Sequence, residues 1–178
     1  IYHPCCPVKV HEMSNLFPFL QDTKLSAQLA FIIEVDKVKQ IVRKTKLFDR
    51  SRFENDAEHS WSLSLMALVL QEYADEPVDV LKVIKMVLIH DVVEIDAGDT
   101  FLYASERADT YAVELAAAKR IFGMLPGRAG REFLELWEEF EAGRSPEARY
   151  AKALDRLEPL MQNYLNQGSS WKEHGITH

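Results

Sequence analysis

Residues 85–100, KMVLIHDVVEIDAGDT, combine an apolar run with residue types that bind metal ions. The apolar side chains predict a buried helix, and the same run carries His90 and Asp91. A buried helix rarely holds a histidine beside an aspartate without a partner for the charge. A divalent metal ion is such a partner, because it offsets desolvation of the carboxylate and accepts neutral imidazole as a ligand. The segment therefore predicts part of a buried metal site.

Two other apolar segments supply further ligands. In AEHSWSLSLMALVL, His59 is in helical register with Leu63, Met66 and Leu70, which places it on a buried face. In ARYAKALDRLEPLM, Asp155 lies among alanines and leucines, where an unpaired carboxylate is costly. For His59 alone, a hydrogen-bonded core histidine is the alternative. The predicted ligand set is His59, His90, Asp91 and Asp155.

The chemistry of these four side chains limits the choice of metal. Two nitrogens and two carboxylates leave positions open for water or substrate, as catalysis requires. No thiolate belongs to the set, which favours Mn²⁺, Co²⁺, Fe²⁺, Ni²⁺ or Zn²⁺. We therefore expect one divalent metal ion, whose identity the sequence leaves open.

The order of these ligands resembles the HD superfamily of metal-dependent phosphohydrolases, which is defined by the pattern H…HD…D. The stretches ENDAEHSW, LIHDVVEIDAGDT and ALDRLEPL are similar to the subgroup of small bacterial 5'-deoxynucleotidases, and the resemblance extends over residues 28–166. It implies an HD-type helical bundle that forms a homodimer. It also implies hydrolysis of nucleoside 5'-monophosphates, most of all the deoxy forms.

Composition and periodicity are consistent with that fold class. The chain has 178 residues, the length of one domain, and a net charge of −7, which argues against a polynucleotide or an anionic membrane as partner. Residues 1–12 are interpreted as a non-native or disordered segment before Met13, and residues 13–178 as the domain. Apolar spacing predicts a helix over residues 26–45 with Ser26 as its cap, a cationic loop over residues 46–55, and no strand. Ser145 and Pro146 predict the cap and first turn of the helix that carries Asp155. We expect an all-α, single-domain, cytoplasmic protein with a buried metal site.

Two acidic residues follow the His-Asp pair at positions suited to catalysis. Glu94 is four residues after His90, so an uninterrupted helix would project both from one face. The resemblance implies an acid/base or water-orienting role for Glu94, and a solvated carboxylate is the alternative. Asp99 follows Gly98, and the resemblance implies that it activates water or contacts the sugar. Capping of the next segment is the alternative for Asp99.

Cationic residues before His59 are candidates for binding phosphate. The relatives carry an Arg-Trp pair some fifteen residues before the first histidine, where this chain has Lys44 and Thr45, with Arg43 adjacent. The aromatic contact to the base is therefore missing, which leaves nucleotide specificity open. The predicted substrate-binding residues are Arg43, Lys44, Arg52 and Thr100.

The expected substrate is a small phosphorylated molecule, most simply a nucleotide. Within the superfamily, hydrolysis of a nucleoside triphosphate or of ppGpp remains an alternative. A cyclic dinucleotide phosphodiesterase is disfavoured because no GYP follows the HD pair, and a di-iron oxygenase would need further histidine ligands. Outside enzymes, the alternative is a helical bundle that binds a metal ion or nucleotide without catalysis.

Overall fold

Helices form most of the fold. The structure is a computed structural model that describes residue 17 and residues 19–98, 107–168 and 171–172. The helices within these ranges are α1 (Thr23–Val35), α2 (Asp56–Val69), α3 (Val80–Ile89), α4 (Glu94–Ala97), α5 (Arg107–Phe122), α6 (Arg128–Ala142) and α7 (Pro146–Leu165). The predicted all-α class is confirmed, with one small two-stranded sheet added to it.

Short polar side chains determine where α2 and α7 begin. The side chain of Asn55 accepts a hydrogen bond from the Glu58 amide, and the side chain of Glu58 accepts one from the Asn55 amide. This reciprocal capping box starts α2. Ser145 caps α7, and Pro146 occupies its first turn, which confirms the predicted start of that helix. Both helices carry candidate ligands, so the caps help to fix the positions of those residues along the helix axes.

The helix predicted over residues 26–45 is wrong at both ends. It begins at Thr23, where Asp22 rather than Ser26 is the cap. It ends at Val35 and passes into a 3-10 turn, Asp36–Gln40. Apolar residues continue the helical period beyond this point, but the backbone becomes extended because it pairs with residues 53–55.

That pairing forms a small antiparallel hairpin. Strand β1 (Val42–Lys46) lies beside β2 (Phe53–Asn55), and the register shifts between the two aligned pairs Val42–Asn55 and Lys46–Phe53. The carbonyl of Ile41 accepts a hydrogen bond from the amide of Asp56 at 3.2 Å. The segment predicted as a cationic loop, residues 46–55, is therefore partly the second half of this hairpin, which leads directly into α2.

Two groups of buried apolar side chains surround the polar centre. The first lies among α2, α3, α6 and α7 and includes Leu63, Met86, Phe140 and Leu154. The second lies among α1, α5, α6 and the turn after α3 and includes Phe31, Val93, Phe122 and Trp137. No helix in the described ranges is both long enough and apolar enough to cross a membrane.

Candidate metal centre

Three segments bring the four predicted ligands together. His59 lies on the inner face of α2 and is fully buried. His90 and Asp91 follow the end of α3, in a 3-10 turn over His90–Val93. Asp155 lies in the middle of α7, which packs against both α2 and α3. The side chains meet at the junction of these helices.

Three pairs of their donor atoms lie close together. Nε2 of His59 lies 3.0 Å from Oδ1 of Asp155, and Nε2 of His90 lies 3.6 Å from the same oxygen. Nε2 of His90 is 3.1 Å from Oδ1 of Asp91. Donors placed about 2.1 Å from one ion are about 3.0 to 3.4 Å apart at neighbouring positions. Two of the three separations fall in this range and the third is slightly longer, so these donors are compatible with one divalent ion.

His90 presents a ring nitrogen that the protein leaves without a hydrogen bond. Its Nδ1 lies 2.8 Å from the carbonyl oxygen of Val87, so Nδ1 carries the proton and donates to that oxygen. Its Nε2 then holds a lone pair, is buried, and has no hydrogen-bond partner among the described residues. A buried imidazole lone pair beside two carboxylates is a suitable ligand for a metal ion.

His59 has a carboxylate on each side of its ring. Nε2 faces Asp155 at 3.0 Å, and Nδ1 faces Glu158 at 3.3 Å. Burial lowers the pKa of His59, but hydrogen bonds with Asp155, Glu158 and Glu54 outweigh it and raise that pKa well above its ordinary value. The surroundings of the ring therefore favour positive charge, as those of a cation site should.

Arg43 is the cation of this otherwise acidic centre. It projects from β1, and its side chain is 16% exposed. Its Nη1 donates to Oδ2 of Asp91 at 2.8 Å and to Oδ1 of Asp56 at 3.3 Å, and its Nε lies 3.9 Å from Oε2 of Glu54. Burial lowers the pKa of Arg43, but the surrounding carboxylates, including those of Asp91 and Asp56, together have the larger effect and raise that pKa above its ordinary value. The guanidinium therefore stays charged. Arg43 thus neutralises part of the carboxylate cluster.

Glu94 belongs to the same cluster. It begins α4, after the 3-10 turn over His90–Val93. The helix is therefore interrupted between His90 and Glu94, and the shared face that an uninterrupted helix would give is absent. Its carboxyl group lies beside that of Asp56, which is fully buried. Burial raises the pKa of Asp56 to about 6, the Asp91 charge adds to this, and Arg43 and Glu94 oppose it.

Two of the other predicted site residues, Lys44 and Arg52, lie away from this centre. Neighbouring residues of a strand point to opposite faces, and Arg43 points toward the centre. Lys44, the next residue, is therefore exposed. Arg52 is half exposed and makes two hydrogen bonds to Glu58, which belongs to the capping box of α2. Asp99 and Thr100 lie outside the described residues.

Three buried residues near the centre were not predicted as part of it. The carboxylates of Glu54 and Glu158 face His59, and the indole of Trp137 donates to the carbonyl oxygen of His90 at 3.3 Å. Glu158 is three residues after Asp155, a helical spacing that could have identified it. Glu54 depends on the hairpin, and Trp137 on tertiary packing, so neither leaves a comparable local signal.

Comparison with known proteins agrees with this arrangement. The chain is 31% identical to 5'-deoxynucleotidase HDDC2 of Danio rerio over 136 residues, which are 75% of this chain and 66% of that protein. It is 29% identical to the Homo sapiens protein of the same name, over 75% of this chain and 65% of that one. The match thus spans slightly less than two thirds of these curated relatives.

A solved structure is more similar. The predicted metal-dependent phosphohydrolase from Magnetospirillum magnetotacticum MS-1 is 50% identical, with a TM-score of 0.83 over 90% of this chain and 80% of that one. A family model described as HD domain matches residues 35–178, which contain all four candidate ligands. Because this model covers most of the chain, the protein belongs to the HD domain family.

Proposed function

We propose that this protein is a metal-dependent phosphohydrolase that removes phosphate from nucleoside 5'-monophosphates, with the deoxyribonucleotides preferred. One observation carries the proposal: two imidazoles and two carboxylates from three segments converge, and a buried Nε2 of His90 lacks a hydrogen-bond partner. We assign His59, His90, Asp91 and Asp155 as the residues that hold one divalent ion.

A divalent ion held there supplies a Lewis acid for a phosphoryl oxygen and lowers the pKa of bound water. The protein provides the rest of the chemistry. Trp137 and the Val87 carbonyl hold the His90 segment in place, and Arg43 fixes one oxygen of Asp91. The other Asp91 oxygen is then directed toward His90.

Glu94 is our candidate for moving the proton. It lies in the same cluster as Arg43 and Asp56, on the turn of helix that follows the His-Asp pair. A carboxylate at this place can accept a proton from the attacking water and return it to the leaving alcohol. We propose Asp99 as a second acidic residue for orienting water or the sugar.

Phosphate binding requires positive charge beside the metal. Arg43 is the described cation that touches this cluster, and its planar guanidinium suits a phosphoryl group. Phosphate would compete with Asp56 and Asp91 for it, so binding of substrate would rearrange these ion pairs. Lys44, Arg52 and Thr100 remain predictions for further substrate contacts.

The nucleotide class of the substrate is supported by similarity. The curated relatives carry the name 5'-deoxynucleotidase, and the solved neighbour is named a predicted metal-dependent phosphohydrolase. The single ion and the small basic region also suit a monophosphate better than a polynucleotide. A cytoplasmic location remains a prediction.

We also propose that the protein is a homodimer. The outer face of α2 exposes Trp61, Leu65, Leu68 and Val69, and residues 60–71 contain no charged side chain. An uncharged apolar face is self-complementary in a protein of net charge −7. Light scattering after size exclusion should give twice the chain mass, and Trp61→Glu should give the monomer.

Phosphate release from a panel of ribo- and deoxynucleoside monophosphates tests the activity. The protein is stripped with a chelator and reloaded separately with Mn²⁺, Co²⁺, Fe²⁺, Ni²⁺ or Zn²⁺. We expect hydrolysis of deoxynucleoside monophosphates that disappears in Asp155→Ala. Asp36→Asn is the matched control, because Asp36 is an exposed aspartate paired with Lys39 at the surface.

Metal content is measured on the same samples. Bound metal without phosphate release from any monophosphate would exclude the nucleotidase proposal and direct the panel to triphosphates and ppGpp. Failure to bind any divalent ion would exclude the metal centre itself.

A further inference from the structure

A second acidic side chain of α7 lies at the outer side of the His59 ring. Glu158 is 1% exposed, and its Oε2 is 3.3 Å from Nδ1 of His59. Asp155, one helical turn earlier, faces the opposite ring nitrogen at 3.0 Å. One helix therefore supplies carboxylates to both nitrogens of the same imidazole.

Glu158 is itself held in place. Gln162, also on α7 and also buried, donates a hydrogen bond from Nε2 to Oε1 of Glu158. The two oxygens of Glu158 thus have different partners, one on Gln162 and one on His59. This arrangement leaves the carboxylate little freedom to turn away from the ring.

Glu54 reinforces the same side of the ring. Its Oε2 lies 3.6 Å from Nδ1 of His59 and 3.9 Å from Nε of Arg43. Nδ1 therefore faces two carboxylates and keeps its proton when the ring is neutral. The lone pair of a neutral His59 is then on Nε2, facing Asp155.

The two histidines differ in what holds them. Nδ1 of His90 donates to a backbone carbonyl, whereas Nδ1 of His59 donates to a carboxylate. A carboxylate on the far nitrogen fixes the tautomer and makes the imidazole a stronger electron donor than a carbonyl does.

We propose that Glu158, supported by Gln162, is a positioning residue that fixes the Nδ1–H tautomer of His59 and strengthens its Nε2 as a metal ligand. The inference rests on the metal centre of the proposed function, but not on the identity of its substrate. Glu158 does not touch the reacting atoms and acts only through His59.

The test measures metal affinity without substrate. Co²⁺ is titrated into chelator-stripped wild type, Glu158→Gln and Glu158→Leu in competition with a chromophoric chelator. We expect affinity to fall about 10- to 100-fold in Glu158→Leu and about 3- to 10-fold in Glu158→Gln. The amide of the Gln variant can still accept the Nδ1–H bond but lacks the charge. The visible absorption of bound Co²⁺ should shift in both variants.

Glu34→Gln is the control, because Glu34 is also buried but pairs with Lys37 and Arg120. It should lower the unfolding midpoint of the metal-free protein and leave Co²⁺ affinity unchanged. Affinity of Glu158→Leu within twofold of wild type would overturn the inference. If the Leu variant fails to fold, Glu158→Gln decides: a loss of threefold or more supports the inference, and a smaller change overturns it.

These outcomes are separate from those of the activity assay. If the wild type binds Co²⁺ but hydrolyses no monophosphate, the nucleotidase proposal is excluded and the role of Glu158 is not affected. Wild type that hydrolyses monophosphates, with variants of unchanged affinity, removes the role of Glu158 alone. Wild type that binds no divalent ion removes both.

Discussion

The guanidinium of Arg43 donates a 2.8 Å hydrogen bond to Asp91, a residue 48 positions further along the chain. The same Nη1 also contacts Asp56 at 3.3 Å. This one cation thus joins the hairpin, the first turn of α2 and the turn that carries two candidate metal ligands. Its loss would leave buried carboxylates without a counter-charge.

Arg43→Met should therefore destabilise the metal-free protein by about 3–5 kcal/mol, the usual cost of removing one partner from a buried ion pair. Urea unfolding in excess chelator measures this free energy. Arg128→Met is the control, because Arg128 is 83% exposed and pairs with Glu132 on the surface of α6. That control should change stability by less than about 0.5 kcal/mol. Equal effects of the two variants would contradict the structural role of Arg43.

Glu94→Gln separates catalysis from metal binding. If Glu94 moves the proton, the variant should lose about 10²- to 10⁴-fold in kcat while keeping its metal content. Glu132→Gln, at an exposed position of α6, should retain full activity. Metal analysis and steady-state phosphate release provide the two readouts. An active Glu94→Gln would show that another group carries the proton.

Because of Glu114, the free energy of unfolding should decrease as the pH rises. Burial raises the pKa of Glu114 to about 7, and the charges of Glu141 and Asp91 add to this, while Lys152 opposes it. The folded protein therefore holds a proton that the unfolded chain releases near pH 4.5. The contribution of Glu114 to stability is complete below pH 4.5 and is lost as the pH rises through 7.

Glu114→Gln cannot ionise, so it should not lose stability in this way as the pH rises. In chelator, we expect the variant to be about 1–2 kcal/mol more stable than wild type at pH 8, once solvent screening of this part-buried group is included. At pH 4.5 the difference should nearly vanish. Denaturant melts at the two pH values measure it. A variant that is less stable at pH 8 would show that the Glu114 carboxylate has a favourable partner in solution.

Addition of metal should stabilise the fold. An ion that binds only the folded protein contributes about 2.7 kcal/mol at a free concentration of 100 times its Kd. For a chain of this size, that corresponds to an increase of roughly 5–10 °C in Tm. Calorimetry with and without chelator measures the shift. Asp155→Asn, which replaces a carboxylate by a neutral amide of the same shape, should show much less of it.

The sequence was informative where function imposes a local pattern. His59 and Asp155 were placed on buried helical faces by the spacing of their apolar neighbours, and the structure brings them to 3.0 Å from each other. The start of α7 at Ser145 and Pro146 was likewise predictable, because a cap and a first-turn proline are local features.

The hairpin was not predictable in this way. Val38, Ile41 and Val42 continue a helical spacing, and the competing structure depends on pairing with residues 53–56. The burial of Glu54 and Asp56 depends on that same pairing, since Arg43 meets them only when the strands are formed. Carboxylates that look like surface residues in the sequence thus became part of the centre through tertiary contacts.

The candidate centre also has a consequence for the order of events in folding. His59 and Asp155 are 96 positions apart in the chain, so α2 and α7 must pack before their side chains can meet. Closing so long a loop has a large entropic cost, and the ion can repay it only after closure. Metal should therefore enter late and slow unfolding much more than it speeds folding. The lifetime of the folded protein would then depend on how slowly the ion leaves.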